Sequence, residues 1–585
     1  MKDNSNFLEK NILVYITGNE IFGSNIYSNF NELVLDLNKF DYSTVLQSAA
    51  KINYILKDEY TLRKSPEALK IAKKLFESDI NIFSKIKKLW ESGKIIFSRQ
   101  QLLSLIKTNL VYNDNNSGSK SIDEDFYGFG RILFGITDFL EEKIENDRKQ
   151  IIGNIFKNIY LNFDHRLMLL LQRYHYLYSE VYNKVKKKFP GECYCFNDEF
   201  RNAVGIDILP YLYLSYSILS HYIKNNDPEL KSFYIDNNYF RKLKGEIKNK
   251  IDIFFSELTL NRESLQLGIN RGNKNYFSSF SDFWSNPLIK INSGVYFPID
   301  FKFLTEKATI GIYWTIFNYL TNKHGSNNIS IINQELNNLR AFFGRCLEYY
   351  VYELFKRVYS RGLLQKIYYS EYDGENTGNV DLILDYGNTL FFFEITSSNI
   401  RFNTALSANY EEIFNEIDLI FFGDEKDRRG KILQLDRAIN DFKENKLKIN
   451  SISPKNIERI FPVLILQIGL PQAPGLYEEY KDRILKKGFL RDHIGDFTII
   501  DLEELECCMD LIHSENISLA TLFNEYKKSE YCNQSLKNFL YYNGYLKKLK
   551  ANHKKITSEM YKKFHLSAIN YLFTEDVAKE LNSLN

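Results

Sequence analysis

Two short runs constrain the fold more than any other part of the chain. The first is Gly378-Asn379-Val380-Asp381-Leu382-Ile383-Leu384; the second, after the connector Asp385-Tyr386-Gly387-Asn388, is Leu390-Phe391-Phe392-Phe393-Glu394-Ile395-Thr396. Both are rich in β-branched and aromatic residues, and a Gly-containing connector of this length joins antiparallel strands. Side chains alternate along a strand, so Glu394 and Thr396 project one way while Phe393 and Ile395 bury on the other side. Glu394 is then an acid among aromatics. An ionised carboxylate there is costly without compensation, and a cation shared with Asp381 supplies it. A pair of acids across a hairpin is equally the mark of a solvated strand end, so the flanking segments decide.

Upstream, Leu339 to Val358 reads as a helix whose buried stripe is Phe343, Leu347, Val351, Leu354 and Val358. Gly344 and Glu348 share a neighbouring face one turn apart, which leaves the carboxylate uncovered; a glycine at a helix crossing would look the same. Downstream, Lys431 to Phe442 is a second amphipathic helix with a core stripe of Ile432, Leu435, Ile439 and Phe442, and with Lys431 and Gln434 on its flank. The apolar run Phe461 to Ile468 is a buried strand, and Asp496 to Asp501 a further strand that runs into a helix and completes the sheet.

The order helix, strand, strand, helix, strand, with acids at Glu348, Asp381 and Glu394, resembles the PD-(D/E)xK nuclease superfamily over roughly residues 336–512. The resemblance implies a restriction-endonuclease-like α/β nuclease core, a mixed sheet flanked by helices. It implies Asp381, Glu394 and the Ile395 carbonyl as ligands of Mg²⁺, for which Mn²⁺ could substitute, with Glu348 as an auxiliary acid and metal ligand. Gln434 matches a glutamine common on the family's second helix. Thr396 departs from the pattern, because it stands where the motif has lysine. A threonine hydroxyl can hydrogen-bond a water but supplies no charge near the developing phosphorane. Either the cation comes from elsewhere, Lys431 being the obvious donor since this lysine migrates in the family, or the site binds without cutting. Arg401, Arg428 and Arg429 are weaker donors. Crowded carboxylates without a metal repel one another, which favours the active reading.

The remaining chain is assigned by periodicity. Residues 1–285 are a mainly helical amino-terminal region for sensing, partner or substrate binding, opened by a strand-like run at Ile12 to Ile16 and divisible at the polar loop 113–121. Residues 286–335 hold a bridging hairpin, Leu288 to Pro298, turned at Asn292-Ser293-Gly294, and a helix; 336–512 are the nuclease-like domain. Residues 513–585 are a helical, basic tail, whose Lys547, Lys548, Lys550, Lys554, Lys555, Lys562 and Lys563 lie near Tyr541, Tyr542, Tyr545 and Tyr561. That patch could track phosphates and stack bases, or be a solvated helical face. The connection from Thr396 to Lys431 contains a helix from Ala408 to Phe421 and a charged turn, at a place where insertions shape substrate access.

Composition excludes more than it identifies. With 76 basic and 74 acidic residues the net charge is +2, so any nucleic-acid surface is local. Six cysteines make no CxxC pair and read as reduced, mostly buried thiols of a cytoplasmic protein. The start of the chain has no signal-peptide pattern, and Ile208 to Ile218, the most apolar segment, carries Pro210 and reads as a buried helix rather than a membrane span. Gly128-Phe129-Gly130 lacks a third dinucleotide glycine, and there is no GxxxxGK[ST]. His165 and His175 do not have zinc-protease spacing. The activity that the resemblance implies is Mg²⁺-dependent endonucleolytic cleavage, of DNA more readily than RNA. By fold-level analogy it serves restriction or anti-phage defence, with a protein partner or second copy engaged through the amino-terminal region. The alternatives are a decayed nuclease fold acting as a binding or scaffold subunit, and an RNase effector on the same core.

Overall fold

The computed structural model describes residues 14–578 except 24–25, 58–59, 61–63, 114–117, 141–146, 163–165, 225–233, 236–238, 240–242, 271–278, 293, 324–328, 360–365, 370–379, 425–429, 450–451, 516, 552–554 and 576. Gly378, Asn379, His165, Arg428, Arg429 and Lys554 thus lie outside the described residues. The chain forms two compact units, each assembled from separate stretches. One contains Met168–Phe196 and Phe317–Leu566; the other contains Ile12–Leu167, Asn197–Ile316 and Ser567–Asn585.

Among the described residues, and isolated bridges aside, the regular structure of the second unit is helical apart from the antiparallel hairpin Leu288–Asn292 with Val295–Pro298, in which Ile289 faces Phe297. Gly294, at φ 82°, takes the left-handed turn position that glycine accepts without strain. The strand expected at 12–16 reduces to one bridge, Tyr15 to Ile95, with Ile12 and Leu13 outside the described residues. Thr17 stops it by capping the helix Gly18–Phe22 that follows. Gly128 and Gly130 sit inside the helix Phe126–Gly135, not in a phosphate loop. Among the described residues no single helix is long and apolar enough to cross a membrane, although Phe196–Val204 and Ile208–Tyr222 reach that composition together across a 64° bend.

The first unit is built on a five-stranded mixed sheet. Its strands are β1 (Lys366–Tyr368), β2 (Leu382–Asp385), β3 (Thr389–Thr396), β4 (Arg459–Leu466) and β5 (Thr498–Asp501), in that spatial order. β1, β2 and β3 pair antiparallel, and β3, β4 and β5 parallel. Leu382 faces Phe393, and Glu394 faces Leu464. All eight residues of β3 are buried, which requires cover on both faces.

Six helices matter for the site: α1 (Leu167–Tyr176), α2 (Ile329–Tyr359), α3 (Tyr410–Phe422), α4 (Lys431–Lys443), α5 (Leu476–Lys486) and α6 (Leu502–Glu515). The aromatic run of β3 sorts them by face. Phe391 and Phe393 stack at 5.8 Å, and Phe355 of α2 meets Phe393 at 5.0 Å. Phe392 points the other way and meets Phe442 of α4 at 6.0 Å. Each such ring contributes about 1.5–3 kcal/mol by burial, so β3 is pinned between α2 and α4, with Glu394 on the α4 face.

Helix α2 is longer than the periodicity suggests, at 31 residues or about 46 Å. Its stripe contains Phe343, Leu347, Val351 and Leu354 as expected, but ends in buried Phe355 and Tyr359, while Val358 is only half-buried. All six thiols are free, as expected, but burial is less complete: Cys346, Cys507 and Cys508 are buried, Cys193 and Cys532 half-buried, and Cys195 exposed. The stretch 168–196 belongs to this unit and lies along α2, through Lys184 to Glu353 at 3.0 Å, Arg357 to the Tyr176 hydroxyl at 2.6 Å, and Phe196 to Phe342 at 5.5 Å.

Candidate active site

Asp381 stands at the entry of β2 and Glu394 near the end of β3. The Ile395 amide donates to Asp381 Oδ2 at 2.7 Å, which fixes the carboxylate beside the strand. The N–H and C=O of one strand residue leave by the same edge, so the Ile395 carbonyl is turned toward Asp381; the Thr396 carbonyl leaves by the other edge and accepts from the Gln467 amide at 3.0 Å.

Lys431 reaches this centre from the first turn of α4. Its Nζ lies 2.6 Å from Glu394 Oε2 and 3.7 Å from Asp381 Oδ2. The approach depends on Gly430, where a Cβ would fall 2.1 Å from the Phe422 carbonyl carbon; only glycine lets the start of α4 lie this close to the end of α3. A lysine at a helix amino terminus opposes the helix dipole, so the two carboxylates, not the helix, hold it.

Glu394 is fully buried. Burial first, and then Asp381, push its carboxyl well above the ordinary range, and Lys431 offsets them only in part. Burial works to lower the Lys431 ammonium, but Asp381 and Glu394 outweigh it and hold the lysine charged. Two acceptor atoms remain. Glu394 Oε1 and Gln434 Oε1 are buried, and neither has a hydrogen-bond partner among the described residues. Buried acceptors without a partner are costly, and a bound cation or a donor from substrate or water is the kind of group that would compensate them.

Glu348 is half-buried and acts electrostatically on both Glu394 and Lys431, which brings it into the same neighbourhood; among the described residues no group of three His, Cys, Asp or Glu side chains is already gathered as a metal would need. Thr396 shares a face with Glu394, but its hydroxyl accepts from the Ser398 amide at 3.0 Å and closes the local turn. Arg401 is bound to Glu416, away from the carboxylates. Asp381 and Glu394 alone still suit Mg²⁺, which keeps several waters and is commonly held by one or two carboxylates plus substrate phosphate.

The insertion between β3 and α4 is anchored, not loose: Arg483 of α5 makes a bidentate pair with Asp418 of α3, at 2.9 and 2.6 Å. In the tail, Lys563 pairs with Glu180 at 3.1 Å and the Tyr545 hydroxyl donates to Glu525, while Tyr541 and Tyr542 are exposed. Part of the expected phosphate-tracking patch is thus engaged by the unit's own acids. Sequence reasoning missed Arg173, Tyr174, Gln467 and Glu506, which are treated below; the available signal was a lone Arg within the apolar run Leu169-Leu170-Leu171-Gln172-Arg173-Tyr174.

Compared with family models, curated proteins and solved structures, the chain matches none of them.

Proposed function

We propose that the protein is a metal-dependent nuclease that hydrolyses phosphodiester bonds, with DNA as its substrate. One observation carries this reading: with threonine at position 396, Lys431, 37 residues beyond Glu394, delivers its ammonium to Glu394 and Asp381. A bound Mg²⁺ or Mn²⁺ supplies polarisation of the phosphate and a lower pKa for the attacking water. Asp381, Glu394 and the Ile395 carbonyl are the groups suited to hold it. Glu394 would serve as a ligand in its carboxylate form. Lys431 then has its three donors for the attacking water and for charge gathering on the phosphate oxygens. Gln434 Oε1 is free to accept from that water, and Glu348 adds negative potential nearby.

A specific observation favours one competing reading. Thr396 is occupied by its own turn and Glu348 does not complete a three-acid set, as in a fold that binds nucleic acid without cutting it. Incubating plasmid, single-stranded DNA and RNA with Mg²⁺ and either wild type or Asp381→Ala separates the two. Cleavage by wild type alone supports the nuclease; equal cleavage by both proteins, or none by either, overturns it. The RNA arm identifies the substrate.

A further inference from the structure

We infer that α1 positions the catalytic centre through two adjacent buried side chains, Arg173 and Tyr174, each of which reaches a different half of it. The inference rests on the nuclease reading for its kinetic consequences but not for its geometry. Arg173 Nε and Nη2 hold Glu506 of α6 at 2.5 and 2.9 Å, and the Tyr350 hydroxyl donates to the same carboxylate at 2.5 Å. Tyr350 lies two residues beyond Glu348 on α2. Arg173 thereby fixes, through Glu506, the helix that carries the auxiliary acid. All three side chains are essentially dry, and a planar guanidinium gripping a carboxylate at two points permits little rotation.

Tyr174 serves the other half. Its hydroxyl accepts from Gln467 Nε2, while Gln467 Oε1 accepts from Asn399 Nδ2 at 3.1 Å. The Gln467 backbone amide donates to the Thr396 carbonyl at 3.0 Å. Asn399 also donates to the Ser397 carbonyl at 3.1 Å. A single glutamine beyond β4 therefore clamps the segment 396–399, which leaves β3 immediately after Glu394 and Ile395, and Tyr174 sets the orientation of that glutamine. Neither residue touches the carboxylates. They are positioning residues, and removing groups that orient metal ligands typically costs about 10- to 100-fold in metal affinity or activity.

The test uses Tyr174→Phe and Tyr350→Phe in the full chain. Each deletes one oxygen and keeps its ring, whereas replacing Arg173 would strand the Glu506 charge and risk unfolding. Without metal, amide exchange at Ser397–Ile400 is expected to rise at least about tenfold in Tyr174→Phe, as an anchored loop loosens. Mn²⁺ binding, read by titration, should weaken about tenfold in both variants, with kcat falling and KM for nucleic acid unchanged. Exchange and Mn²⁺ affinity at wild-type levels in both variants, even with a lowered Tm, would overturn the proposal. If wild type neither binds Mn²⁺ nor cuts, the nuclease reading has failed, and the exchange result alone decides whether α1 positions the loop.

Discussion

Two buried glutamates in the sheet-bearing unit face cations, and they are treated differently. Glu506 is gripped by both nitrogens of Arg173 and receives the Tyr350 hydroxyl as well. Glu394, equally buried, meets one lysine ammonium that is a fifth exposed, shares it with Asp381, and keeps Oε1 without a partner. The first arrangement has its principal hydrogen bonds filled, which is what a structural ion pair needs to offset desolvation. The second leaves capacity unused in a place where unused capacity is costly. That asymmetry is the physical difference between a structural joint and the proposed reaction centre.

Breaking each pair should therefore cost different things. Arg173→Met leaves Glu506 buried and uncompensated, and should lower folding stability by about 3–5 kcal/mol, measured by urea denaturation. Lys431→Met should destabilise far less, because burial and Asp381 both favour the uptake of a proton by Glu394 once the ammonium is gone, but should lower kcat by about 10²–10³-fold, the loss typical for one positioned donor. Equal stability losses in the two variants would erase the contrast.

Acidity offers a finer distinction. Since burial and Asp381 raise the Glu394 carboxyl above its unfolded value, the folded state holds one more proton than the unfolded state between those two values. Stability then falls as pH rises through that window, and Glu394→Gln should flatten the slope. Because a cation must displace the same proton, apparent Mn²⁺ affinity should rise with pH, by up to about tenfold per unit. A pH-independent affinity would mean that Glu394 is not a ligand. The smallest effect belongs to Thr396→Val: losing the turn contact to Ser398 should cost about 1 kcal/mol, the net worth of one hydrogen bond, and change kcat little. A large fall in kcat would return Thr396 to the chemistry.

The hairpin, α4 and the strand after it were legible because their patterns are local. Strand alternation alone put Glu394 opposite Phe393, and helix periodicity alone put Lys431 and Gln434 on one flank. What the sequence hid is held by contacts between distant residues. Arg173 and Glu506 are 333 residues apart, Tyr174 and Gln467 293, and no local period connects them. For the same reason the stretch 168–196 reads as part of an amino-terminal helical region although it lies against α2. For Glu348, helix spacing gives the face but not the distance from Asp381; the structure adds that it acts electrostatically on Glu394 and Lys431.

The most direct measurement compares Mg²⁺-dependent plasmid cleavage with Mn²⁺ binding in wild type, Asp381→Ala and Lys431→Ala. The expected result is cutting by wild type only, with metal binding lost in Asp381→Ala and kept in Lys431→Ala. Wild-type cutting by Lys431→Ala would contradict the claim that α4 supplies the cation missing at Thr396.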